Sequence, residues 1–65
     1  MKFVGDEAGI SVLHELKDTN KEYLKFLIQE ARTVFNNFVD FKGKDGSAFR
    51  LTFLPKEQNF QVTRR

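Results

Sequence analysis

Apolar residues recur at every second position in two runs flanking Lys44-Asp45-Gly46, within residues 38–53, FVDFKGKDGSAFRLTF. Alternation of this kind marks half-buried strands, and the polar Gly-containing junction marks a reversal between them. Gly46 suits the third position of a three-residue loop, where a type I turn ends in a left-handed residue. That register sets Gly43 against Ser47, Phe41 against Phe49 and Val39 against Leu51. A two-residue loop at Asp45-Gly46 sets Phe41 against Arg50 and Val39 against Thr52, which mixes the faces. A one-residue slip sends every side chain to the opposite face, so burial selects the first register. It also brings Asp40 opposite Arg50 on the outer face, an exposed cross-strand ion pair worth about 0.2–1 kcal/mol.

Pro55 ends the second strand, residues 56–59 form a polar turn, and residues 60–64 supply a third strand. Phe60 then opposes Phe53, and Val62 opposes Leu51. The inner face becomes Val39, Phe41, Phe49, Leu51, Phe53, Phe60 and Val62. The outer face is mostly Asp40, Lys42, Arg50, Thr52, Gln61 and Thr63.

The pattern changes period before the hairpin. Leu24, Leu27, Ile28, Ala31, Val34 and Phe35 share one face at helical spacing, with Tyr23 at its margin. Thr19-Asn20-Lys21-Glu22 has the capping-box pattern, with Thr19 as cap and Glu22 reaching back. Asn36-Asn37 offers a stop, because asparagine tolerates the left-handed conformation. The main helix is therefore expected over residues 20–36. Phe26 falls on its opposite side among Glu22, Gln29, Glu30 and Thr33. It is either an isolated exposed ring, a contact with residues 1–17, or part of a homo-oligomer contact.

Residues 1–17 admit more than one reading. Lys2-Phe3-Val4 reads as a short strand and Asp6-Glu7-Ala8-Gly9 as a turn. Ser11 can cap a short helix with Val12, Leu13 and Leu16 on a wide apolar face, which is the preferred reading. The alternative is a strand with Ile10, Val12, His14 and Leu16 on one side. The expected architecture is α+β: one main amphipathic helix on a three-stranded antiparallel meander, preceded by a short strand or helix. The whole chain, residues 1–65, forms one small domain.

Composition narrows the means of stabilisation. Sixty-five residues with no cysteine exclude disulfides and thiolate metal sites. Eight phenylalanines must then supply much of the core, and pairing with a second copy is another source of burial. The start, MKFVGDEAG, lacks the apolar stretch of a signal peptide, so the cytoplasm is the expected location. Phe26-Leu27-Ile28 is too short an apolar run to cross a bilayer, and the main helix is not lysine- and arginine-rich enough for a membrane surface. Charge divides unevenly: residues 1–37 carry net −1 and residues 38–65 net +3.

Chemistry-bearing patterns are few. His14 is the single histidine and has no second histidine at metalloprotease spacing. Ser11 is explained by capping, and Gly43-Lys44-Asp45-Gly46 by a turn. No catalytic, metal-binding or cofactor-binding residue is assigned, and an enzyme is not expected in a chain with little room for a substrate pocket. The basic sheet half suggests nonspecific nucleic-acid contact through Lys42, Lys44, Arg50, Lys56, Arg64 and Arg65. The alternation weakens that reading, since Phe41, Phe49, Phe53 and Phe60 are committed to the core and leave Phe38 alone for stacking. Two helices joined at Asp18-Thr19-Asn20 and followed by a hairpin wing also fit residues 11–36, with the second helix in a DNA groove. Its outward face mixes Lys25 and Arg32 with Glu22, Gln29 and Glu30, a poor match to phosphate. The favoured expectation is a non-catalytic protein-interaction or assembly module, with self-association included. Phe26, Phe38 and Leu54, the apolar residues hardest to bury, are its candidate contacts.

Overall fold

A computed structural model describes residues 2–33 and 37–65. The elements run β1 (Phe3–Gly5), α1 (Glu7–Thr19), α2 (Lys21–Thr33), β2 (Phe38–Lys42), β3 (Ala48–Leu54) and β4 (Asn59–Arg64). The strands form one sheet in the order β1-β4-β3-β2. β2, β3 and β4 make the expected antiparallel meander, with Phe41 opposite Phe49, Val39 opposite Leu51, Leu51 opposite Val62 and Phe53 opposite Phe60.

The turn between β2 and β3 has the geometry its sequence demands. Gly43 N–H donates to the Ser47 carbonyl at 2.8 Å, and Gly46 N–H donates to the Gly43 carbonyl at 3.1 Å. Gly46 has φ +87°, a value that costs other residues about 1–2 kcal/mol. The Asp45 carboxylate accepts from the Ser47 N–H at 3.0 Å, and hydrogen bonding from Ser47 holds Asp45 below its ordinary pKa.

Two expectations are corrected. The sheet has four strands and is mixed rather than purely antiparallel, because β1 pairs in parallel with β4: Phe3 lies beside Phe60 and Gly5 beside Val62. Short strands leave little periodic signal, and this partner lies at the other end of the chain. The described residues also form two helices of equal length rather than one main helix. The segment read as a turn at residues 6–9 starts α1: Asp6 is the N-cap, and its carboxylate accepts from the Gly9 N–H at 3.1 Å. Ser11 lies inside α1 and caps nothing at its start.

The junction between the helices shifts by one residue from the expected cap. Thr19 remains in α1, its hydroxyl donating to the Glu15 carbonyl at 2.9 Å. Asn20 serves both helices. Its N–H donates to the Leu16 carbonyl at 2.8 Å, and its side-chain oxygen accepts from the Tyr23 N–H at 3.2 Å. Asparagine does both because its short amide can reach back to the backbone outside helical geometry. The expected helical positions 34–36, including Val34 and Phe35, lie outside the described residues; Asn37 has the anticipated left-handed backbone, φ +59°.

Both helices cover one face of the sheet. Leu13 from α1 and Leu24, Leu27 and Ala31 from α2 meet Phe41, Phe49, Leu51, Phe60 and Val62 in one buried cluster. α1 can approach closely because Gly9 lies over Val62 and Phe49, where an added Cβ would stand 2.4 Å from Val62 Cγ1. No helix among the described residues is long and apolar enough to cross a membrane.

Candidate protein-interaction surface

The structure separates the three apolar residues proposed as contacts. Phe26 is on α2, in the helical layer, and is 53% exposed. Its ring stacks on Tyr23, with centroids 6.3 Å apart and planes inclined by 13°. Phe38 and Leu54 belong to the opposite, helix-free face of the sheet, where Phe38 pairs with Thr52 and Leu54 lies one pleat further along. Both are half-buried. Phe26 therefore cannot join Phe38 and Leu54 in one contact.

The basic residues of the sheet half are largely engaged within the molecule. Arg50 Nε donates to Asp40 at 3.0 Å, and its guanidinium lies 4.0 Å from the centroid of the Phe38 ring. That cation occupies one face of the aromatic surface on which a base would stack. Arg65 also binds Asp40, Arg64 lies 3.6 Å from Asp6, and Lys44 pairs with Glu15 of α1. Lys42 and Lys56 are exposed and form no ion pair among the described residues. The hydrogen bond from Arg50, with attraction to Arg50 and Arg65, holds the Asp40 carboxyl below its ordinary range despite some desolvation.

A second basic region lies on the other side of the molecule. α1 and α2 meet at Asn20, and between them runs a groove of 770 Å³. Half-buried Phe3 from β1, Ile10 from α1 and Ile28 from α2 form its apolar lining, over the core side chains Leu13 and Leu24 beneath. Spacings of three and four residues place these side chains on the facing sides of the two helices. Lys2, Lys17, Lys21 and Lys25 border it, with His14 and a single carboxylate, Asp18. The His14 ring lies 6.4 Å from that of Phe3. Among the described residues, none of the four lysines forms an ion pair. Lys21 and Lys25 are one turn apart on α2, an arrangement that costs an isolated helix about 0.2–0.5 kcal/mol.

Sequence reasoning missed this groove. Its signal is the pair of periodic sets Ile10-Leu13-Lys17 and Lys21-Leu24-Lys25-Ile28, which face each other only once residues 7–19 are known to be helical. Counting charge by halves hid it, because the lysines share residues 1–37 with six acids, of which only Asp18 borders the groove. Comparison with protein-family models, curated proteins and solved structures finds no match for this chain.

Proposed function

We propose that this chain is a small, non-catalytic interaction or assembly module that binds protein through its helical layer. The observation that carries this reading is the groove between α1 and α2, with its apolar lining and four lysines that form no ion pair among the described residues, beside one carboxylate, Asp18. Apolar side chains inserted there leave water, while the lysines select for an acidic partner and orient it. A groove of this kind suits an amphipathic helix presenting side chains one turn apart.

Selection of short peptides from a random displayed library against the folded protein tests the reading. Selected peptides are expected to shift the amides of Ile10, Leu13, Leu24 and Ile28. Failure to select any binder, or binders that shift only the outer sheet face, contradicts it.

Nonspecific nucleic-acid contact through the sheet half is the alternative, supported by exposed Lys42 and Lys56. Internal pairing of Lys44, Arg50, Arg64 and Arg65 weighs against it. It requires salt-sensitive binding of mixed-sequence nucleic acid that is lost when Lys42, Lys44 and Arg50 are neutralised together. The protein-binding reading expects no such response.

A further inference from the structure

We propose that the groove receives a second copy of this chain, whose α2 inserts Phe26 between the neighbour's lysines. The inference rests on the reading of the groove as a protein-binding site and adds the identity of the occupant. Phe26 is the most exposed large hydrophobic residue described, and Tyr23, which stacks on it, is exposed as well. Glu22 and Glu30 lie one turn before and one turn after Phe26 on the same helix. The three residues make an acid-aromatic-acid stripe about 12 Å long. The groove offers the complement: an apolar lining for the ring and Lys2, Lys17, Lys21 and Lys25 for the carboxylates. The exposed aromatic pair and the lysines, which outnumber the single groove carboxylate Asp18 by four to one, thus each supply what the other lacks.

Geometry selects the mode of contact. Phe26 stands roughly 160° around the helix axis from both Leu24 and Ile28, which line the groove. Stripe and groove point in opposing directions, so one neighbour cannot meet both. A symmetric dimer through either surface alone would face lysine with lysine or glutamate with glutamate. The contact is therefore head to tail, and repetition gives a row or a closed ring.

The test uses two charge-reversed full-length proteins, one carrying Lys21→Glu and Lys25→Glu, the other Glu22→Lys and Glu30→Lys. Circular dichroism first establishes that each is folded, and sedimentation equilibrium then reads association. The native chain is expected to gain mass with concentration, and each variant alone to lose that gain. An equimolar mixture restores it, because the acidic stripe of one variant fits the basic groove of the other and the reversed surfaces also match. Phe26→Ala weakens association by on the order of tenfold or more, the effect expected of a central aromatic anchor.

A native chain that stays monomeric up to about 1 mM, where only affinities too weak for the assembly proposed would escape detection, overturns the inference. So does a mixture that fails to restore association. If that monomer still takes displayed peptides in the groove, the interaction reading survives with a different partner. If no peptide binds there either, both fall.

Discussion

Gly9 occupies the point where α1 comes closest to the sheet, and its missing side chain is a packing requirement. Glycine-to-alanine substitution in an exposed helix interior stabilises by about 1 kcal/mol. Here the new Cβ would lie 2.4 Å from Val62 Cγ1 and 2.9 Å from Phe49 Cδ1. Gly9→Ala should therefore destabilise, by about 1–3 kcal/mol as overpacked cores do, as read from the urea midpoint. Asp40 makes a different prediction. Its pKa is lower in the folded chain than in the unfolded one, chiefly through the hydrogen bond from Arg50. Its contribution is thus present above the unfolded value of about pH 4 and lost as pH falls through the lower folded value. Asp40→Asn should remove up to about 1 kcal/mol at neutral pH and flatten the acid limb of a stability–pH profile. An unchanged limb would show that this cluster does not couple to folding.

At the level of elements, α1 and α2 depend on one shared residue. Asn20→Ala removes the side-chain cap of α2 and should lower stability by about 0.5–2 kcal/mol, measurable by thermal unfolding. Lys25 separates fold from function: Lys25→Glu replaces the like-charge pair with Lys21 by an opposite-charge one but sets a new like charge three residues from Glu22, so stability read by urea unfolding should change by no more than about 0.5 kcal/mol, while association weakens.

The meander was legible in the sequence because alternation over residues 38–64 has one register that keeps its phenylalanines together. The apolar face of α2 was legible for the same reason, through Leu24, Leu27 and Ala31. α1 was only half visible. Gly9 has poor helix propensity, and Asp6-Glu7-Ala8-Gly9 reads as a turn before a helix capped by Ser11. β1 was recognisable as extended chain at Phe3 and Val4, but its parallel partner was not, because nothing local encodes a neighbour at Phe60. The groove depended on α1 and β1 together and so remained hidden.

Across the whole molecule, folding sorts charge in a way that the linear chain does not show. The basic sheet half spends Arg50, Arg64 and Arg65 on Asp40 and Asp6, and ties its hairpin turn to α1 through Lys44 and Glu15. The nominally acidic half instead places four lysines around one apolar groove and directs Glu22 away with Phe26. The outcome is a helical layer with two unlike surfaces and a sheet whose cations are mostly paired. Association through the helical layer should weaken as salt rises, because the screening length falls from about 30 Å at 0.01 M to about 8 Å at 0.15 M.

The most direct measurement is a dilution series of amide NMR spectra of the labelled chain at low salt. Two groups of concentration-dependent shifts are expected. One lies at Leu13, Lys21, Lys25 and Ile28 around the groove, and the other at Glu22, Phe26 and Glu30 on the stripe. Shifts confined to β2, β3 and β4, or none at any concentration, would contradict head-to-tail association.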